Sequence, residues 1–564
     1  MTFNISPDSK SENNKYIVQE RKQNQAKVSF KGLESAGNLV NLACSQIQTG
    51  EIVGPSVVDI VSMVGPRTIV DSTRGRDAGI ETGLRETFGF VNNCILPGFV
   101  AAGVGWALGK IINKDIKINT SIPVNSDTLE MFHDSWKNIN GQKFWEEGSD
   151  KKAVIQEFYE NILKKTHGLV GKEWVELAQK PENEIKSIAS EAAELSIKAQ
   201  KASGKELKLI KEKLINLLGA SETLKIIDGK KEIKTTADRL IQSTDTVIRD
   251  LLTKVEPEKL EPAINKIKKV IPKKTAIALS LTMALGLSQQ FVNRYLTKKR
   301  SGSDAFVGLS EEAKKQAETD KKDKKKRFKL GVEKAVSVAA LVGLATSTLT
   351  WSLNPKTIWK TIGNKQNLLK KLEFNSFWPN LNQLRSVIYP AILIGRVLAS
   401  SGENELRETD TRDIPGFLNW LVLGGFVSKL VGKKISNGQL INTSKPLKEG
   451  AGVLAKIGHF LTNETLVSHA EIKAMFENGK INEVMKKSLN NRLNFSIFAG
   501  LVYSTTMLGL FVPMLNKHIT NKLTANKKPE DKTKTEKTTT VSFDSTNKEV
   551  FADFIKTQQK LKKV

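Results

Sequence analysis

The sequence has little of the two residue types that most often bind metals or form cross-links. Of its 564 residues only Cys44 and Cys94 are cysteine, and its five histidines are scattered along the chain. Two cysteines do not build a disulfide framework, and none of these residues has the spacing of a metal site. We therefore expect no bound metal, while the sequence leaves open whether the two cysteines pair.

Catalytic signatures are also missing. The chain has no GxSxG, HExxH, CxxC or calcium-loop pattern. The segment Gly168–Glu173 (GLVGKE) lacks both the wider glycine spacing and the Ser/Thr of a phosphate-binding loop. These absences predict a protein that is not an enzyme and uses no cofactor.

The amino terminus lacks the apolar run of a secretory signal peptide. Residues 1–30 are rich in Asn, Ser, Lys and Gln, which predicts a disordered tail because such a segment cannot bury a core. We therefore expect an internal span, and not a signal peptide, to direct any entry into a membrane.

Positive charge is in excess. The formal net charge is +27 at pH 7, and lysine supplies most of it. Such an excess favours polyanionic partners, either anionic lipid headgroups or nucleic acid. Lysine attracts phosphates diffusely, whereas single-strand binding uses interleaved aromatic side chains, and the most basic segment offers only Phe328. The composition therefore favours an anionic membrane surface and disfavours nucleic acid.

Uncharged runs alternate with these charged blocks. About 20 helical residues cross a hydrocarbon core. Four runs reach that length, namely Phe88–Gly109, Thr275–Asn293, Ala335–Asn354 and Leu493–Asn516. Two weaker runs, Ser386–Ser401 and Ile414–Val431, flank an acidic connector and are predicted to form a hairpin of two further spans.

Small residues recur at every fourth position in the four runs. Small side chains let helices approach closely in lipid, where apolar attraction between helices is weak. The stripes therefore predict membrane-spanning helices that pack on one another, on a protein partner or on a second copy of the chain. They consist of Gly105 and Gly109; Ala278, Thr282 and Gly286; Ala335, Ala339, Gly343 and Ser347; and Ser496, Gly500 and Ser504.

Residues 113–272 have a different pattern. Apolar side chains recur there at spacings of three and four, as in Leu207, Ile210, Leu214 and Leu217, with charged residues between them. This periodicity predicts amphipathic helices packed as hairpins or a short coiled coil, and Pro257 marks the end of the last one.

The predicted fold class is all-α: a polytopic helical membrane protein with an inserted soluble helical domain, multi-pass in the cell membrane. No repeat at a solenoid period is visible. The predicted segments are a disordered tail (1–30), a Gly/Arg-rich segment leading into the first span (31–112), the soluble domain (113–272), a helical membrane bundle (273–516) with a polybasic loop (295–334), and a Lys/Thr-rich disordered tail ending in a short helix (517–564).

The first candidate site lies in a stretch without lysine that precedes the first run. Its residues suggest either a salt-bridged collar that fixes how the first span enters the bilayer, or arginine forks that bind a phosphate, a lipid headgroup or a partner carboxylate. They are Arg67, Asp71, Arg74, Arg76, Asp77, Glu81 and Arg85.

Polar residues inside the apolar runs form the second candidate site. Asn92, Asn93 and Pro97 predict a kinked or discontinuous helix that faces protein and not lipid. Arg396 interrupts another run and has two interpretations: it faces a polar cavity or partner, or its run is interfacial and the side chain points to water.

The third candidate site is a cluster of basic residues before the third run. Positive charge beside a span tends to stay in the cytoplasm, and it attracts anionic lipid at about 1 kcal/mol per residue. The cluster consists of Lys321, Lys322, Lys324, Lys325, Lys326, Arg327 and Lys329.

These observations together predict a non-enzymatic integral membrane protein, a scaffold or interaction protein that binds anionic lipid headgroups and a protein partner. One alternative is a transporter or channel with a polar path near Asn92, Asn93, Pro97 and Arg396. A further alternative is a basic, soluble, helical nucleic-acid-binding protein. The sequence gives no ligand, substrate or oligomeric state.

Overall fold

The fold is known from a computed structural model. It describes residues 52–112, 126–138, 151–170, 173–176, 181–217, 223–228, 231–236, 255–302, 322–350, 355–374, 377–443, 452–477 and 479–525, with single residues between 40 and 48, between 240 and 251, and at 447 and 450. The predicted tails, residues 1–30 and most of 517–564, lie outside this part of the chain. Both cysteines are free thiols.

The amino-terminal helices form a bent hairpin. They are α1 (Val53–Val58), a π-helix (Asp59–Val64), α2 (Gly65–Ser72), α3 (Arg76–Phe90), a second π-helix (Val91–Ile95) and α4 (Leu96–Ile112). Gly75 makes the turn with a φ of 138°, which an L side chain rarely adopts. The discontinuity predicted around Asn92, Asn93 and Pro97 is the second π-helix. A proline has no N–H to donate to the preceding turn, and a widened turn accommodates it.

The region between residues 126 and 271 has its own apolar core. Its helices are α5 (Ser126–Asn138), α6 (Lys151–Lys165), α7 (Glu182–Ala199) and α8 (Gly204–Leu217). The amphipathic periodicity is seen in α7, where Ala189, Ala192 and Ala193 are fully buried. The region also contains an antiparallel sheet in the order β2-β1-β3-β4, formed by β1 (Thr166–Val170), β2 (Glu173–Glu176), β3 (Thr223–Asp228) and β4 (Lys231–Thr236). The prediction of helices alone was therefore incomplete. Leu224 and Ile226 of β3 alternate into the core, a period-two pattern too short to be seen in the sequence.

One helix of 45 residues, α9 (Pro257–Ser301), joins this core to the membrane-length helices. Pro257 stands at its first turn, where a missing N–H is harmless, and Gly302 ends it with a φ of 73°. Its first half contributes Leu260 and Ile264 to the core of the 126–271 region, and its second half contains the run 275–293. The boundary predicted between residues 272 and 273 thus falls inside a single helix.

The remaining helices follow in sequence. They are α10 (Lys324–Thr350), α11 (Pro355–Gly363), α12 (Lys365–Lys371), α13 (Leu381–Gln383), a π-helix (Leu384–Ile388), α14 (Tyr389–Ala399), α15 (Glu403–Leu418), a π-helix (Asn419–Leu423), α16 (Gly424–Ile435), α17 (Val453–Thr462), α18 (His469–Glu477), α19 (Glu483–Ser504), a π-helix (Thr505–Phe511) and α20 (Val512–Ala525). A two-stranded antiparallel ribbon pairs β5 (Ile441–Thr443) with β6 (Glu464–Leu466).

Within the described residues, four helical stretches are long and apolar enough to cross a membrane: Val53–Ser72, Arg76–Ile111, Lys259–Ser301 and Glu483–Ile519. Three of them contain predicted runs, and Val53–Ser72 is an addition. The run 335–354 qualifies only when α10 and α11, which are bent by 80°, are taken together, and the two weaker runs do not qualify. The described part of the chain is therefore mostly helical, with four or five helices of membrane length.

The bundle is built from two similar halves. Each half begins with a π-helix, continues into a helix with proline in its first turn (Pro66 in α2, Pro390 in α14), turns at a glycine, and runs through a long helix interrupted by five π-helical residues. Residues 75–105 and 402–432 align without a gap, and thirteen of the 31 aligned positions are identical. In the first half these are Gly75, Glu81, Thr82, Arg85, Gly89, Phe90, Asn92, Leu96, Gly98, Phe99, Val100, Val104 and Gly105.

A third helix completes each half and packs on the first helix of the other half. α9 packs on α14, and the π-helix Thr505–Phe511 packs on α2. The contacts are close at equivalent glycines: a Cβ on Gly286 would lie 3.3 Å from Ala391, and a Cβ on Gly509 would lie 2.6 Å from Pro66. The two halves, called here the first repeat (59–112 with α9) and the second repeat (384–435 with 483–520), are therefore interlocked.

Candidate functional site

Charged side chains from both repeats meet inside the bundle. Because α3 and α15 are equivalent helices, the pair Arg85 and Glu86 in α3 aligns with Arg412 and Asp413 in α15. Nine charged side chains take part, and each of them is at most 7% exposed. This charged cluster consists of Arg67, Asp71, Arg74, Arg85, Glu86, Arg396, Glu408, Arg412 and Asp413.

Within the first repeat, Glu86 is the centre of the cluster. Its Oε1 lies 3.4 Å from Nη1 of Arg67 and 3.4 Å from Nε of Arg85. Arg67 also donates from Nε to the carbonyl oxygen of Leu508, at 3.0 Å. This carbonyl belongs to a π-helix, so Arg67 links α2 to the third helix of the second repeat.

Two arginines join the repeats. Arg396 in α14 donates to Oε2 of Glu86 at 3.2 Å and to Oδ1 of Asp413 at 3.1 Å. Arg74, beside the first turn, pairs with Oε1 of Glu408 in the second repeat. Arg396 therefore faces charged partners, and the interpretation in which it points to water is wrong.

Burial decides what these pairs contribute. A buried ion pair is a weak source of net stability, but deleting one partner leaves an uncompensated charge and costs about 3–5 kcal/mol. The space beside Arg85, Arg396 and Arg412 has a volume of about 10 Å³, room for about one water molecule. The cluster is thus closed to an organic ligand, and its geometry matches an ion-pair network between helices.

The structure places the first predicted site in two different environments. Arg67, Asp71, Arg74 and Arg85 are in the cluster, and Glu81 is buried beside it. Arg76 and Asp77 are exposed at the start of α3, where Asp77 pairs with Arg300 at the end of α9. The predicted group is therefore divided between the surface of the bundle and its interior.

The predicted intramembrane polar residues are buried. Asn92 and Asn93 are 3% and 1% exposed, and Pro97 is also buried. The π-helix turns both amides toward the bundle interior, as expected for a discontinuous helix that faces protein. Asp59, at the start of the first π-helix, lines a second small cavity together with Asn93.

The polybasic residues are far more exposed than the cluster. Lys321 lies outside the described residues. Lys322 precedes α10, and Lys324, Lys325, Lys326, Arg327 and Lys329 form its first turns, with every side chain exposed. Lys329 donates to Oε1 of Glu403, at the start of α15, at 3.0 Å. Part of the segment predicted as a loop is thus helical and lies beside the second hairpin.

Sequence reasoning did not single out Glu86, Glu408, Arg412 or Asp413. The missed signal was the internal duplication. The pattern R-[ED]-x2-G-F-x-N-x3-L-x-G-F-V begins at Arg85, and a second copy begins 327 residues later, at Arg412. A search for periods of solenoid length passes over two copies separated by a whole domain.

Comparisons with protein-family models, with curated proteins and with solved structures find nothing that matches this chain.

Proposed function

We propose that the chain is an integral membrane protein that acts as a non-enzymatic scaffold, binding anionic lipid headgroups and a protein partner. The observation that carries this proposal is the distribution of polarity in the bundle. Ionised side chains occupy its interior, and large apolar side chains occupy its outer surface. In water this arrangement is unfavourable on both counts, whereas in a bilayer the apolar surface meets acyl chains.

The outer surface of α9 illustrates the pattern. Six apolar side chains along its second half are between 42% and 52% exposed, over about four turns. They are Ile277, Leu281, Met283, Leu285, Phe291 and Val292. The surfaces of α4 and α19 add Phe99, Trp106, Phe495 and Phe498, each more than half exposed. Soluble monomers rarely expose apolar patches of this extent.

The basic start of α10 is the proposed lipid-binding surface. Its lysines are exposed, and Phe328, at 76% exposure, projects among them, as in segments that place an aromatic ring at a headgroup boundary. An ion pair between Lys329 and Glu403 holds this surface beside the turn of the second hairpin. A pair between Arg300 and Asp77 holds the basic end of α9 beside the turn of the first hairpin. The basic residues of both helix ends are therefore collected at one end of the bundle.

A partner surface is offered by α10. Of its small-residue stripe, Ala335, Ala339 and Gly343 are exposed, whereas the stripe Ser496, Gly500 and Ser504 is buried against α16. A helix with a small-residue face open to lipid suits close contact with another spanning helix.

Lipid selectivity tests the headgroup part of the proposal. The full chain in detergent would be titrated with phosphatidylglycerol or phosphatidylcholine, and bound lipid counted by native mass spectrometry. Replacing Lys324, Lys325 and Lys326 by glutamine should lower the preference for phosphatidylglycerol at least tenfold, since each basic residue contributes about 1 kcal/mol. The matched control replaces Lys186, Lys201 and Lys205, which are exposed on the 126–271 region. Equal binding of both lipids by the unmodified chain would contradict the proposal.

A transporter or channel is the second candidate function, favoured by the duplication. Many transporters consist of repeats whose interface holds a substrate site formed by discontinuous helices. Here Asn92 and Asn93 lie in such a discontinuity, and Arg396 lies between the repeats. Flux of small ions into vesicles containing the purified chain, lost on Arg396→Leu, supports this function, and absence of flux from the unmodified chain argues against it.

A further inference from the structure

Asp59 differs from the other buried carboxylates of the bundle. Arg294, Glu81 and Glu405 lie at the edge of the charged cluster. With these three included, the cluster contains six arginines and six carboxylates among the described residues. The arginines are Arg67, Arg74, Arg85, Arg294, Arg396 and Arg412, and the carboxylates are Asp71, Glu81, Glu86, Glu405, Glu408 and Asp413. Asp59, 1% exposed, is a seventh carboxylate in the same interior. Among the described residues Asp59 takes part in no ion pair, so its carboxylate has no direct counter-ion in the bundle.

The surroundings of Asp59 provide oxygen atoms. Its Oδ2 accepts a weak hydrogen bond from Sγ of Cys94 at 3.7 Å. Among the described residues, neither its Oδ1 nor Oδ1 of Asn93 has a hydrogen-bond partner, and both residues line one cavity of about 10 Å³. Asp59 begins one π-helix and Asn93 lies in the middle of another, and such widened turns are frequent at functional sites.

The charged and titratable groups around this cavity leave Asp59 without a dedicated cation. Glu86 and Arg396 line it but pair with each other, and Arg67, the nearest other arginine, pairs with Glu86. The hydroxyl of Tyr389 donates to the sulfur of Met63. Cys94 is the remaining titratable neighbour. Arg67 and Arg396 thus both pair with the carboxylate of Glu86, and neither forms an ion pair with Asp59.

The second repeat has different side chains at the equivalent place. When Ser62-x3-Pro66 is aligned with Ser386-x3-Pro390, Gln383 lies opposite Asp59. In the alignment of residues 75–105 with 402–432, Trp420 lies opposite Asn93. Gln383 is engaged in hydrogen bonds with Asn380 and Leu372, and Trp420 stacks on Tyr389 with ring centroids 4.5 Å apart. The carboxylate and the open amide oxygen are thus specific to the first repeat.

We propose that Asp59 and Asn93 form a binding site for one monovalent cation, either a proton or Na⁺. The Asn93 side chain donates to the ionised carboxylate of Asp59. A proton would sit on Oδ1 of Asp59, and rotation of the Asn93 amide would turn its Oδ1 to accept from the resulting hydroxyl. Na⁺ would take both oxygens as ligands, together with backbone carbonyls of the two π-helices. This site goes beyond the proposed scaffold function, since it does not depend on lipid binding at α10.

The test is the thermal stability of the full chain in detergent, measured against Na⁺ concentration at constant ionic strength with choline as the replacement. At saturating ratios, each tenfold rise in Na⁺ should raise Tm of this 564-residue chain by about 1 °C. Asp59→Asn and Asn93→Leu should abolish the response. Asp410→Asn should keep it, because this half-buried carboxylate lies in α15 and accepts from Ser337.

A pH series in choline alone distinguishes the two cations. If the ion is a proton, Tm of the unmodified chain falls relative to Asp59→Asn as pH rises, and Na⁺ has no effect. If the ion is Na⁺, the unmodified chain binds ²²Na⁺ directly, a measurement that requires no variant. A chain whose Tm responds to neither Na⁺ nor pH, or responds equally after Asp59→Asn, overturns the proposal.

Discussion

Arg396 in the second repeat donates to Glu86 in the first repeat at 3.2 Å, with both side chains 4% exposed. The two residues are 310 positions apart, and each belongs to a helix of a different repeat. This contact therefore depends on the interlocked arrangement of the two halves. In a low-dielectric interior each charge requires its partner, so the pair specifies how the repeats dock.

Removing either partner should destabilise the bundle. Arg396→Met or Glu86→Gln is expected to lower the free energy of unfolding by about 3–5 kcal/mol, because the remaining charge is buried without compensation. Unfolding monitored by circular dichroism in mild detergent measures this change. The control is Asp77→Asn, which breaks the exposed pair with Arg300 and should change stability by no more than about 1 kcal/mol. Similar effects of the buried and exposed substitutions would contradict the structure of the cluster.

Close packing at the equivalent glycines gives a graded prediction. In Gly509→Ala the new Cβ would lie 2.6 Å from Pro66 and 2.7 Å from the backbone oxygen of Ser62, so the helices must separate, at about 1–3 kcal/mol. Gly286→Ala should have a smaller effect, since its nearest neighbours are side-chain atoms at 3.2–3.3 Å.

Gly343 is the control for this pair, because a Cβ there meets none of the described atoms within 4 Å. Gly343→Ala should stabilise α10 by about 0.5–1 kcal/mol through helix propensity. Thermal unfolding should therefore give the highest Tm for Gly343→Ala, a lower Tm for Gly286→Ala and the lowest Tm for Gly509→Ala. A reversed order at positions 286 and 509 would show that the third helices pack differently.

His469 predicts a pH dependence of stability. Burial lowers its pKa below the ordinary value, and its Nε2 hydrogen-bonds with Oδ1 of Asn494 at 2.7 Å. The unfolded chain therefore binds a proton at a higher pH than the folded chain does. The stability that His469 contributes is present above about pH 6.5 and is lost progressively as the pH falls. Denaturant titrations across this range should show the loss, His469→Gln should reduce it, and a substitution of the exposed His518 should not.

How far the sequence predicts this structure depends on the range of each signal. The helical periodicity of α7 and α8 and the apolar runs of α4, α9 and α19 are local, and they were located correctly. Arg67, Asp71, Arg74 and Arg85 could be grouped from the sequence because they lie close together in it, and the structure places them in the charged cluster. Their partners Arg396, Arg412 and Asp413 come from a segment 310 or more residues away, which no local pattern connects to them. The duplication supplies that link, and the four-stranded sheet had no comparable signal.

We propose that the bundle sits in a membrane, with its charges inside and its apolar side chains facing lipid. Membranes from cells that express the full chain would be extracted first with alkaline carbonate and then with detergent. The account predicts that the chain stays in the carbonate pellet and is released only by detergent. Release by carbonate would contradict it, because the exposed apolar surfaces of α4, α9 and α19 would then have to be covered by protein and not by lipid.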